Sequence, residues 1–126
     1  MSKLSDLYKE AESLNEEIPA ELAKKIRVYA KIMQVIGKYH AAAVNDYGKA
    51  YADRKRVWGE SIIGTSGTGK EKEGQAEVDC YEYRIKEAQA EADKERWKNA
   101  KDSTAEIINA LKKQLETLQM EYRNAG

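Results

Sequence analysis

The stretch LAKKIRVYAKIMQVIGKYHAAAVNDYGKAYADRKRV, residues 22–57, decides the fold. Its seam positions are Leu22, Ile26, Tyr29, Met33, Ile36, His40, Ala43, Tyr47, Ala50, Arg54 and Val57. The steps alternate four and three, which is a heptad seam and not a strand pattern. Only Gly37, Gly48 and Gly59 interrupt this run of helix formers. Upstream, Pro19 suits the first position of the helix, where no amide hydrogen bond is lost. Glu21 suits the positive end of the helix dipole.

Downstream, Gly64-Thr-Ser-Gly-Thr-Gly69 places three glycines in six residues, which ends one helix and allows a reversal. A second seam then runs through Ala76, Cys80, Tyr83, Glu87, Ala90, Lys94, Trp97, Lys101, Thr104, Ile108, Leu111, Leu115, Leu118 and Tyr122. Folding about Gly67 pairs residue i with about 134 − i. That rule sets Ile36 against Trp97, Arg54 near Cys80, Tyr47 near Glu87 and His40 near Lys94. Leu4, Leu7, Tyr8, Ala11 and Leu14 predict a short amphipathic helix, capped by Ser2 or Ser5, that packs across the apolar end.

The reading is all-α. A short N-terminal helix and linker cover residues 1–18, and a long antiparallel helical hairpin covers 19–126 with its turn at 64–69. Two helices bury little surface, so a coiled-coil-like homo-oligomeric bundle is expected.

Composition narrows the functions. The 126 residues hold eight Gly, one Pro and no Phe, and 22 basic residues balance 22 acidic ones. A neutral chain sets up no global field towards DNA or an anionic membrane. Locally, residues 22–63 carry nine positive and three negative charges. That basic stretch is either matched within the chain or an anion-binding face. Direct nucleic-acid binding is the weakest expectation. A single cysteine, no apolar run of membrane-spanning length and no secretory leader pattern lead to the expectation of a cytoplasmic protein that does not enter membranes.

Catalytic and metal motifs are weak. Gly64 to Lys70 has phosphate-loop spacing, but Glu71 stands where a magnesium-ligating Ser or Thr belongs, and no strand precedes it. One His and one Cys make neither a metal set nor a nucleophile–base pair. No enzyme activity and no cofactor are expected.

The aromatic set carries more. Eight Tyr and two Trp without Phe give every ring a polar handle. Tyr47, Tyr51, Arg54, Arg56 and Trp58 cluster on the first long helix, with Tyr83, Arg84, Arg96 and Trp97 on the second. The bland reading is seam packing with polar tips at the surface. The functional reading is a set of stacking platforms. Arg54 and His40 occupy seam positions, where a polar group needs a partner. Arg54 either pairs with a carboxylate such as Glu87 and fixes register, or offers a two-pronged phosphate donor in a mid-bundle pocket.

The stretches Tyr51-Ala-Asp-Arg-Lys-Arg-Val-Trp58 and Arg96-Trp-Lys-Asn-Ala-Lys-Asp-Ser-Thr-Ala-Glu-Ile-Ile-Asn-Ala-Leu-Lys113 resemble small helical early proteins of tailed phages infecting Gram-positive bacteria. The resemblance spans residues 20–120. It implies an early-expressed protein of the host cytoplasm and transfers no activity and no site residues. On this basis the leading expectation is a counter-defence protein. It would sequester a nucleotide-derived immune signal, of the cyclic ADP-ribose or cyclic dinucleotide type, among Tyr47, Tyr51, Arg54, Trp58, Tyr83, Arg84, Trp97 and His40. The alternative is a protein-binding module that inhibits or recruits a host or phage replication or recombination factor, with exposed aromatic patches and no closed pocket.

Overall fold

The computed structural model describes residues 3–125 and contains three α-helices. They are α1 (Lys3–Glu12), α2 (Pro19–Gly64) and α3 (Gly69–Ala125). Among the described residues there is no strand. Helix α2 continues through Gly37, Gly48 and Gly59. No described helix is long and apolar enough to cross a membrane.

The helix ends follow local chemistry. Pro19 is the first residue of α2, and the amide of Leu22 donates to the Ile18 carbonyl at 2.9 Å. In the linker, Asn15 accepts from the Glu17 amide, and its own amide donates to Glu21. At α3, Thr68 accepts from the Glu71 amide at 3.2 Å, so Thr68-Gly-Lys-Glu71 has the sequence and one hydrogen bond of a capping box. The glutamate that spoils the phosphate-loop motif thus suits a helix start. Between the two long helices Gly67 takes φ 122°, a conformation that favours glycine, and a Cβ there would strike the Glu71 side chain. At α1, Ser5 lies inside the helix and is not its cap, while Ser2 lies outside the described residues.

The chain forms two compact units. One comprises residues 3–39 and 97–125, the other His40–Arg96. The first has a true core: Leu7 and Ala11 of α1 cluster with Val28, Ile32, Val35 and Ile36 of α2, and Trp97 and Ala100 of α3 pack against them. Helix α1 is therefore received by a second apolar stripe of α2, Val28-Ile32-Val35, beside the heptad seam. Two seam assignments are corrected here. Lys101 is exposed, and Ala100, one residue earlier, packs against the core cluster instead. Tyr122 is also exposed; α2 begins at Pro19 and by the pairing rule does not extend to the level of the last turns of α3.

The His40–Arg96 unit is thin. Its buried residues are Ala43, Ser61, Ala76 and Cys80. The Cys80 thiol donates to the Arg54 carbonyl at 3.7 Å, as the 134 − i rule requires. Contacts through longer side chains lie further along: Arg54 meets Glu87 and Tyr47 meets Lys94, each seven positions beyond the rule. The cause is the tilt of Cβ towards the N-terminus of its own helix. In an antiparallel pair both tips shift in opposite senses, so long side chains meet beyond the backbone level.

Candidate functional site

Along the seam of the His40–Arg96 unit runs a polar layer. The Arg54 Nε–H donates to Glu87 Oε2, and Nη2 lies 3.4 Å from Oε1. Both side chains are largely covered, at 19% and 15% exposure. The carboxylate holds the guanidinium above its ordinary range, chiefly through the hydrogen bond. The same guanidinium carbon lies 5.4 Å from the Tyr51 ring centre. One level away, Lys94 Nζ sits 4.2 Å over the Tyr47 ring. Desolvation, then Glu91 and Glu87, push the Tyr47 hydroxyl up. At the turn end, Ser61 donates to Asp79 at 2.7 Å and Gln75 donates to it at 2.8 Å, which together hold that carboxylate below the ordinary range. No side-chain N or O buried among the described residues lacks a hydrogen-bond partner.

The predicted site residues are thus partly gathered and partly separated. Tyr47, Tyr51 and Arg54 stand together with Glu87. Trp58 joins Arg84, whose guanidinium lies 5.8 Å from the indole. Tyr83 lies on the other side of the unit, with Lys86 5.5 Å from its ring, at a groove of about 200 Å³ lined by Asp46, Lys49, Ala50 and Asp53. Trp97 belongs to the other unit, its ring 4.8 Å from that of Tyr39 and tilted by 36°, and it packs on the core cluster. His40 is half-buried, and the ammonium of Lys94 goes to Tyr47. A second cavity of about 350 Å³ near the turn is lined by Val57, Glu60, Ser61, Gly64, Thr65 and Asp79. Its carboxylates and carbonyl-rich helix end do not suit a phosphate-bearing ligand. Among the described residues no group of three or more His, Cys, Asp or Glu side chains could hold a metal ion.

The unit has two unlike sides, and the single-seam reading missed this. On one side α2 presents Ala41, Val44, Gly48, Tyr51, Lys55, Trp58 and Ile62, again at steps of three and four. Beside it α3 presents Glu77, Tyr81, Arg84, Ala88 and Glu91, and the Trp58–Arg84 stack joins the two rows. Val44, Tyr51 and Tyr81 are 45%, 41% and 62% exposed. The opposite side exposes charged and polar residues, Asp46, Lys49, Asp53, Lys86 and Asp93 among them, with half-buried Tyr83 and Ala50 lining its groove. The signal was a second heptad, one residue on from the first.

Compared with known proteins, the chain matches no protein-family model, no curated protein and no solved structure.

Proposed function

We propose that this chain is a non-enzymatic helical module that docks a protein partner on the aromatic side of its His40–Arg96 unit. The observation that carries the reading is the sidedness of that unit: exposed Val44, Tyr51 and Tyr81 around Gly48 on one side, and on the other a charged surface where Tyr83 is half-buried in a groove beside Lys86. A half-apolar helical surface of this kind suits helix docking, with aromatic anchors supplying area at low entropic cost. The resemblance to phage early proteins supplies a setting, a phage accessory factor in the host cytoplasm.

Sequestration of a nucleotide-derived signal is the runner-up, favoured by cations lying beside Tyr51 and Trp58. Against it, the fork that phosphate would need on Arg54 is already engaged by Glu87. The grooves are also small or acidic for a dinucleotide.

Site-specific photo-crosslinking tests the choice. A crosslinker at Tyr51 or Tyr81 is expected to trap protein, while one at Lys49 or Gln89 on the polar side traps none. Equal trapping from both sides would overturn the docking reading. So would stoichiometric binding of a cyclic dinucleotide or ADP-ribose derivative that Arg54→Ala abolishes.

A further inference from the structure

The aromatic side of the His40–Arg96 unit is unevenly furnished along its length, and this points to its occupant. Towards the turn lie the bulky groups and a net positive charge: Trp58, Lys55 and Tyr51 on α2, and Tyr81 and Arg84 on α3, where Glu77 pairs with Arg84 at 3.2 Å and leaves Lys55 as the uncompensated charge of that half. Away from the turn lie small and acidic ones: Val44 and Ala41 on α2, Ala88, Glu91 and Glu95 on α3. Gly48 stands between the halves. It is exposed, it lies inside a continuous helix, and a Cβ built on it meets nothing within 4 Å. Nothing inside the chain therefore calls for glycine there, although glycine costs an exposed helix about 1 kcal/mol against alanine.

We infer that the occupant is a second copy of this chain, laid antiparallel across the same face, with the two-fold axis passing beside Gly48. This rests on the reading of that side as a docking face. A two-fold contact needs one patch that complements itself. Here the rotation sets Tyr51 of one copy over Val44 of the other. It brings Lys55 against the acidic half that holds Glu91 and Glu95. At the crossing the absent side chain of Gly48 lets the backbones approach. The size is sufficient: from Ala41 to Ile62 the face is about 32 Å long, and two helices make it about 20 Å wide, so two copies would cover roughly 1,200 Å² in total. That lies at the lower end of specific interfaces. The unit also needs a cover, because its own buried set is Ala43, Ser61, Ala76 and Cys80.

The test is the mass of the full chain in solution, by sedimentation and light scattering over micromolar to sub-millimolar concentrations. A reversible dimer is expected. Gly48→Leu fills the crossing and is expected to give a monomer; because leucine favours helix, circular dichroism should be unchanged or stronger. Lys55→Glu is expected to weaken the dimer by about tenfold or more. Adding Glu91→Lys to it should restore the dimer. That rescue must pass between copies, since antiparallel pairing sets residues 55 and 91 of one chain about 18 Å apart along the axis.

A dimer indifferent to Gly48→Leu and to the charge exchange would overturn the inference. A wild-type chain that stays monomeric throughout would also overturn it, and crosslinking at Tyr51 and Tyr81 then separates the causes. If they trap a different protein, the docking face stands and only self-recognition fails. If they trap nothing, both readings fail.

Discussion

Arg54 shows how one residue decides between two chemistries. A guanidinium on a seam must be paired, since an isolated buried charge is costly. Glu87 supplies the pair, the Tyr51 ring lies 5.4 Å from the guanidinium carbon, and Cys80 donates to the Arg54 backbone carbonyl. Arg54→Ala is expected to lower stability by about 1–3 kcal/mol in urea titration, because it strands the Glu87 carboxylate. Arg54→Leu combined with Glu87→Leu should recover most of that loss. If Arg54→Ala left stability unchanged, the pair would be a solvated surface contact. Asp79 makes a pH-dependent counterpart. Its hydrogen bonds from Ser61 and Gln75 lower its pKa below 3.8, so their stabilisation is complete above the ordinary carboxylate range and is lost as pH falls through the lowered value. Ser61→Ala should flatten the acid limb of the stability profile and leave its neutral region little changed in slope. An unaltered acid limb would mean that Asp79 does not contribute to it.

The elements were legible in the sequence to differing depths. The α2 seam from Leu22 to Val57 shows in the structure as an unbroken set of buried or half-buried positions. Pro19 and the glycine turn bound the helices, because proline and glycine act through backbone geometry that needs no tertiary context. Two features stayed hidden for physical reasons. A helix carries several stripes at once, and a single heptad captures one of them. Val28, Ile32 and Val35 read as seam neighbours until α1 is seen to cover them. Likewise Val44, Gly48, Tyr51 and Lys55 form a stripe beside the seam, which the seam spacing passes over. The shift from Arg54–Cys80 to Arg54–Glu87 depends on side-chain reach, which spacing alone does not encode. The α1 stripe has a direct test. Ile32 is fully buried between α1 and α2, so Ile32→Ala should cost about 2–5 kcal/mol of stability. It should also expose α1 to proteolysis between residues 12 and 19. A cost well under 1 kcal/mol would show that α1 is not held by this stripe.

For the molecule as a whole, the two units differ in what holds them. Residues 3–39 and 97–125 own a three-helix core of aliphatic side chains. The His40–Arg96 unit rests on small residues, one polar layer and a thiol. Stability that is uneven in this way lets one unit open while the other stays closed. Cys80 is a built-in reporter, because it is fully buried and is the chain's one thiol. A disulfide reagent can reach it only when its unit opens. The labelling rate is therefore expected to follow the local opening equilibrium and to exceed the rate set by global unfolding. Ile32→Ala, in the other unit, should leave that rate nearly unchanged while lowering global stability. Acceleration in proportion to the lost global stability would instead make the chain a single cooperative body. If a second copy covers the aromatic side, opening is further opposed by mass action. Labelling of the wild type should then slow as protein concentration rises, and labelling of Gly48→Leu should be independent of concentration. A wild-type rate without concentration dependence would separate the thin unit from any partner copy and leave its polar layer alone to close it.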